Sequence, residues 1–392
     1  MHGTTTPGSI ARLISDNGAA PARRKGAAAG THGQEHSARL EAVDRRQPEV
    51  RVDVARDGDA TAWKAYVDGH PQATAYHRWA WRQVLSEAFG HRPHFLIARR
   101  GQALVGILPL VQVRTLLFGH SLSSLPFCPY AGPIADDAAA AAALDHAAQA
   151  LAGKLRVDHL EYRSLGAASE PTRGWPVQDL YVTFRKRLST DHEANLAAIP
   201  RKQRAMVRKG IKAGLSAAAG DVDSFFDLFA DNVHRHGTPA HSRRYFALLL
   251  EAFGDDAEIL IVRDPAGVPV SGVLSLYFRD EVLPMHAGDT ERARELAAND
   301  FKYWSLMQRA VERGCTMFDY GRSKRGTGQY DFKKNWGFEP TPLSYEYRLV
   351  RGKGIPQHNP LNPKYRLMIE TWRRLPRWLV NAAGPHIVRG LG

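Results

Sequence analysis

The sequence predicts an α/β protein built from two related units, and three observations carry that prediction. Helix-like and strand-like segments alternate from about residue 49 to residue 350. Short motifs recur in the same order in the two halves of the chain. The length of 392 residues, 44% of them hydrophobic, suits two ordinary domains with real cores.

Residues 1–48 are rich in Gly, Ala, Ser, Thr and Pro and lack apolar periodicity, so they are expected to form a disordered, solvated leader. Order begins near Glu49, where Val50, Val52 and Val54 alternate with charges as a strand does. Helices are expected over 60–67 and 79–89, and strands over 94–99 and 104–113. An extended stretch interrupted by Pro126, Pro129 and Pro133 should occupy 124–134. An alanine-rich helix at 136–155 and strands at 158–162 and 181–184 complete the first half.

The repeat is read from matched segments. Glu87-Ala88-Phe89-Gly90 recurs as Glu251-Ala252-Phe253-Gly254, and Leu96-Ile97-Ala98-Arg99 recurs as Leu260-Ile261-Val262-Arg263. Gly106-Ile107-Leu108-Pro109-Leu110 pairs with Gly272-Val273-Leu274-Ser275-Leu276, and Glu161-Tyr162 with Asp319-Tyr320. Between the copies a helix is expected over 195–215, with Pro200 in its first turn. Arg201, Arg204, Arg208 and Lys212 stripe one of its faces. In the second copy, residues 299–313 carry an apolar stripe of Phe301, Trp304, Met307 and Val311, with Asn299 or Asp300 as the expected cap. Pro340 and Pro342 should bound a last strand at 343–349. The basic amphipathic segment 364–388 is expected to pack on its own domain, or else to lie on an anionic membrane.

Charge and cysteine narrow the classes. The net charge is +13, of which the leader contributes +3, so anionic partners are favoured. Cys128 and Cys315 lie in separate apolar runs and cannot build a disulfide framework, which fits a reducing compartment. No apolar run is long enough to span a membrane and the N-terminus lacks a signal-peptide core, so a cytoplasmic protein is expected. Zinc spacings, HExxH and the nucleophile elbow are absent. Thr327 stands where a P-loop following Gly321 and Gly326 needs lysine.

What remains is one specialised stretch, Asp319 to Phe338. Its counterpart after Tyr162 is plain, whereas here Arg322, Lys324, Arg325, Lys333 and Lys334 surround Gly326 and Gly328 ahead of a short helix. A cationic turn opening onto a helix N-terminus can hold an anion. Such a site offers position and electrostatics to a transfer reaction rather than a covalent nucleophile.

The tandem unit, with Asn299-Asp300, Tyr303-Trp304, Asp319-Tyr320-Gly321-Arg322-Ser323, Tyr330-Asp331-Phe332-Lys333 and Trp336-Gly337-Phe338, resembles the FemAB-type peptidyltransferases of the GNAT acyltransferase superfamily. It is most similar to the FemAB-like branch associated with exosortase and PEP-CTERM exopolysaccharide systems. The resemblance spans about residues 50–350 and implies two tandem GNAT-like domains of the acyl-CoA N-acyltransferase fold. They would occupy 49–190 and 191–350, after a leader at 1–48 and before a basic tail at 351–392.

It also implies transfer of an acyl or aminoacyl group to an amine of a cell-envelope or exopolysaccharide precursor. The donor would be acyl-CoA or an aminoacyl-tRNA, with no tightly bound cofactor and no metal. Lys333, following Phe332, would stabilise the transferring carbonyl, and His286, Asp319 and Tyr320 are the other candidate catalytic residues. Arg322, Ser323, Lys324, Gly326, Gly328, Tyr330, Arg204 and Arg208 would hold the phosphate-bearing substrate.

The chain departs from these relatives in two places. It has no coiled-coil arm, and around His286-Ala287-Gly288-Asp289 it lacks the glycine turn that holds the CoA pyrophosphate. The rival reading is a non-catalytic anion-binding module for tRNA, a nucleotide-sugar or a membrane surface. Either way the expected location is cytoplasmic, or peripheral to the inner membrane through the tail. The sequence sets no oligomeric state.

Overall fold

The computed structural model describes residues 49–115, 118–166, 173–355 and 363–391, with 363–368 described as backbone. The expected leader lies outside these residues. The first half runs β1 (Val50–Val54), α1 (Ala60–Gly69), α2 (Ala80–Phe89), β2 (Arg92–Arg100), β3 (Ala103–Thr115) and β4 (Gly119–Ser124). It ends with β5 (Ile134–Ala135), α3 (Ala138–Leu155) and β6 (His159–Leu165). Next come β7 (Val177–Gln178), β8 (Tyr181–Arg187), α4 (His192–Ala197), α5 (Arg201–Lys212) and β9 (Ser216–Ala219). The second half then has α6 (Val222–Arg235), α7 (Arg243–Phe253), β10 (Ala257–Arg263), β11 (Pro269–Phe278) and β12 (Glu281–Asp289). It continues through α8 (Arg292–Leu296), α9 (Ala298–Glu312), β13 (Met317–Asp319), β14 (Ser323–Lys324), α10 (Gly328–Asn335) and β15 (Glu339–Leu349). Two helices, α11 (Pro363–Arg374) and α12 (Arg377–Val388), close the chain.

One sheet threads both halves, in the order β1-β2-β3-β4-β6-β15-β8-β13-β12-β11-β10-β9. The repeat is visible in its pairing. In each half three strands meander antiparallel, a helix crosses over, and the strand after it pairs in parallel: β4 with β6, and β12 with β13. A β-bulge falls at Ala98/Arg99 in the first copy and at the matched Val262/Arg263 in the second. The glycine match, however, is out of structural register. Gly106 faces Leu144 of α3, whereas Gly272 faces Phe225 and Leu228 of α6, on the opposite side of the sheet. Because side chains alternate faces, a one-residue offset is enough to produce this.

Helices cover both faces. α1, α2, α6 and α7 share one continuous core with the sheet, in which Trp63, Trp81, Phe225 and Phe246 are fully buried. α3 packs on the other face of the first half, and α9 on that of the second. Trp81 meets Phe253 edge-on at 5.3 Å and Arg78 bonds Asp256, so α2 and α7 join the two halves beside the sheet.

β15 joins them within the sheet. Its residues Glu339–Pro342 pair with β8, and Leu343–Leu349 pair with β6. The strand was expected to begin after the prolines, yet it runs through both. The Pro342 carbonyl accepts from Gly166 N–H at 2.9 Å, so the missing proline N–H faces the side of β6, where pairing has not begun. β8 is held between β15 and β13, which brings the segment connecting the copies into the centre of the sheet.

Three more expectations are corrected. The strand placed at 124–134 lies at Gly119–Ser124, and the stretch after it turns sharply through Leu125 and Phe127, both at positive φ. The single helix over 195–215 is two, because Pro200 cannot continue α4 and instead begins α5. Neither Asn299 nor Asp300 caps α9. Ala297, at φ +57, links α8 directly into α9 and leaves Asp300 in the first turn.

Gly288 lies where α6 presses closest on β12. A Cβ there would sit 2.5 Å from backbone atoms of Leu228 and Phe229, which cannot rotate away. Gly288→Ala should lower the unfolding free energy by about 1–3 kcal/mol through overpacking. Urea denaturation of the variant beside the parent chain measures it, and equal midpoints would show that α6 gives way.

Candidate active site

The parallel strands β12 and β13 pair only at Glu281–Met317 and Val282–Phe318, and then separate. Asp319, the next residue, pairs across to Arg185 of β8 and is fully buried. Its carboxylate accepts from the hydroxyl of Tyr130 at 2.5 Å, the hydroxyl of Thr183 at 2.5 Å and the N–H of Gly321 at 2.8 Å. Gly321 holds φ +74, a left-handed turn that swings its N–H back onto Asp319. Arg185 Nε stands 3.5 Å away and also bonds Glu281. With three donors in place, Asp319 ties Tyr130, Thr183 and the Gly321 turn together.

Lys333, on the inner side of α10, turns back over this loop. Its ammonium donates to the carbonyls of Gly321 at 2.9 Å and Arg322 at 3.2 Å and lies 5.4 Å from the Tyr320 ring centre. Burial pushes its pKa down to about 7; Asp319 opposes that shift and Arg322 adds to it. An ammonium has three protons, so one is left to meet a ligand.

Arg322 lies beside it with its guanidinium 5.0 Å over the Tyr181 ring and bonded to the Tyr345 hydroxyl at 3.2 Å. That hydroxyl in turn donates to the Pro129 carbonyl at 2.7 Å. A second guanidinium, Arg163, lies over the Tyr345 ring and pairs with Glu161 at 2.9 Å. Burial alone would raise the Glu161 pKa, but Arg163 and Ser123 outweigh it and hold the carboxyl at about 2. Arg163 and Arg185 therefore have carboxylate partners, and Arg322 has none among the described residues.

The other groups of the glycine turn are differently placed. Thr327 caps α10 by accepting from Tyr330 N–H, and Asp331 sits in the first turn, so the helix N-terminus is already served. Arg325 reaches the Asp179 carbonyl at 3.4 Å, and Lys334 is exposed. Gly326, at φ +74, and Gly328 shape the turn, and Tyr330 packs on Phe184. The hydroxyls of Ser323 and Tyr320 are buried without a hydrogen-bond partner among the described residues.

The other candidates lie elsewhere. His286 bonds the Tyr245 hydroxyl at 3.1 Å and is ringed by Phe229, His241 and Phe246. Arg204 donates to the Ala197 carbonyl at 3.0 Å, and no hydrogen bond or ion pair links Arg204 or Arg208 to the Lys333 group. α5 packs through Val207 and Gly210 on α9, turning its exposed cations outward. At the N-terminus of α9 a cleft of about 520 Å³ is lined by Asp289, Glu291 and Asp300 as well as Arg235 and Arg294. Asp289 is bonded by the fully buried Lys302, and burial raises Asp300 to about 6.

Sequence reading missed Tyr130, Thr183, Arg185, Tyr181 and Tyr345. Tyr130 and Thr183 stand 189 and 136 residues from Asp319, beyond any local pattern. Glu161-Tyr162, matched to Asp319-Tyr320, was the one available signal that each copy buries an acid at its parallel strand pair.

Burial also holds the imidazoles of His77, His91 and His286 down at about 4. Between pH 6.5 and 4 the unfolded chain binds these protons and the folded chain does not, so stability falls on acidification across that window. Asp300, raised in the fold, acts in the opposite sense but is one group against three. Urea midpoints measured from pH 7 to pH 4 should decline, and a rising midpoint would contradict these placements.

Comparison with known proteins agrees with this fold. Residues 199–334, from just before α5 to Lys334, match the family described as Acetyltransferase (GNAT) domain. Solved structures extend the likeness to both halves. FemX superposes with a TM-score of 0.59 at 14% identity, covering 81% of this chain and 100% of FemX. A tandem GNAT protein from the clavulanic acid biosynthesis pathway gives 0.53 at 14%, over 78% of this chain and 100% of that one. L-PGS from Bacillus licheniformis gives 0.51 at 12%, over 82% and 98%. Identities this low show the fold alone, a tandem GNAT-like α/β fold. No curated protein sequence matches the chain.

Proposed function

We propose that the chain is an N-acyltransferase that moves an acyl or aminoacyl group from a phosphate-bearing donor to an amine of a cell-envelope precursor. The observation that carries this reading is the pairing of Lys333 with Arg322 where β12 and β13 part. Arg322, lacking a carboxylate, would hold an anionic group of the substrate. The free N–H of Lys333 would bond the carbonyl oxygen as it gains charge. The neutral amine attacks the carbonyl carbon, the C–N bond forms, and the donor's thiolate or ribose oxygen leaves with its electron pair. The amine's proton passes to a base. The match to a GNAT domain supports the class, and FemX and the lysylphosphatidylglycerol synthetases are its structural neighbours. The exopolysaccharide branch stays part of the proposal through the sequence resemblance.

Mass spectrometry tests it, offering acyl-CoAs and aminoacyl-tRNAs in parallel to a panel of amine acceptors. Mass added to an acceptor is expected with one donor class, and no transfer from either overturns the reading. A second reading, a non-catalytic anion-binding module, rests on α5, whose Arg201, Lys202, Arg208, Lys209 and Lys212 have no ion pair among the described residues. It predicts RNA binding that weakens steeply with salt in a chain that consumes no donor.

A further inference from the structure

We infer that the corner between α11 and α12 docks on an anionic lipid surface. The chain has eight tryptophans. Seven are buried or partly buried, and Trp378 is 72% exposed. It does not sit on a loose end. The opposite side of α12 buries Val380, Gly384 and Val388, with Val388 in the main core, and the carbonyl of Arg389 is 2.9 Å from His91 Nε2. On α11, His234 bonds the Trp372 carbonyl at 3.2 Å, and Gly237 leaves room for Ile369. The two helices are therefore pinned to α6 and the first half, with Trp378 projecting.

On the same corner of the chain Glu370, Arg373, Arg374 and Arg377 are exposed. Arg377 reaches Asp231 at 3.4 Å and Arg373 reaches the His236 carbonyl at 3.4 Å. Arg374 makes no ion pair or hydrogen bond among the described residues. Residues 363–392 carry six Lys or Arg against one acid. An exposed indole in a segment rich in exposed arginines matches the headgroup region of an anionic bilayer, since the ring enters the interface and the cations meet lipid phosphate. Among the described residues no helix is long and apolar enough to cross a membrane, so the contact is peripheral. The inference is independent of the acyl-transfer reading.

The test is flotation of the full chain with phosphatidylcholine vesicles and with vesicles also containing phosphatidylglycerol, at low and high salt. Flotation is expected with the anionic vesicles only, weakening as salt rises. Part of the tryptophan fluorescence should be quenched by brominated lipid, and Trp378→Ala should remove that quenched part. Trp378→Ala and Arg374→Glu should each reduce the bound fraction several-fold and leave the thermal midpoint unchanged, because neither side chain enters the core. Equal flotation of both variants would assign the binding to another basic surface and overturn the inference. So would the absence of flotation, or retention of the chain by RNA but not by vesicles.

Discussion

Lys333→Ala is expected to fold normally and to lose transfer by about 10²–10³-fold, the usual effect of removing one donor to a developing oxyanion. Its ammonium is the group whose remaining proton is not committed to the loop carbonyls. The pH profile gives the sharper reading. With a folded pKa of about 7, the protonated form declines through neutrality, so kcat should fall above pH 7. Lys333→Arg keeps its charge and should abolish that descending limb while retaining more activity than alanine. A rate that instead rises through pH 7 would make Lys333 the base. Stability follows with its own sign: between about pH 7 and 10.5 the unfolded chain holds a proton that the folded chain has lost. Stability should therefore rise with pH over that window, and Lys333→Met should flatten the rise.

Asp319→Ala should cost about 3–5 kcal/mol of unfolding free energy, the range for breaking a buried charged network from one side. It would orphan the hydroxyls of Tyr130 and Thr183 and the N–H of Gly321, and leave Arg185 with Glu281 alone. Asp319→Asn, which still accepts, should cost less. Urea unfolding of both variants measures the difference. A loss below about 1 kcal/mol for alanine would mean that the loop repacks. Because Tyr130 comes from the first repeat and Thr183 from the strand joining the repeats, this residue also reports on how the halves are held together.

The repeat was legible because it rests on local pattern. The alternation of Val50, Val52 and Val54, the helix ending at Gly90 and its echo at Gly254, and the alanine-rich run of α3 are all written within a few residues of where they act. Lys333 and Arg322 were legible for the same reason, since one turn and one helix position both. What failed was register. Gly106 and Gly272 matched as letters and face opposite sides of the sheet, because identity in a short apolar run does not fix which face a strand presents.

By itself, then, the sequence determined the class of fold, the duplication and the specialised turn, all consequences of hydrophobic period and local chain stiffness. Only the tertiary structure decided that β15 runs through two prolines to join the halves, and that β8 sits between them. It alone showed that Lys333 and Arg322 turn inward while Arg325 and Lys334 are exposed. Those outcomes depend on partners more than a hundred residues away, such as Tyr130 and Thr183 on Asp319. Long-range hydrogen bonds in a buried site leave no periodic trace in the chain that makes them.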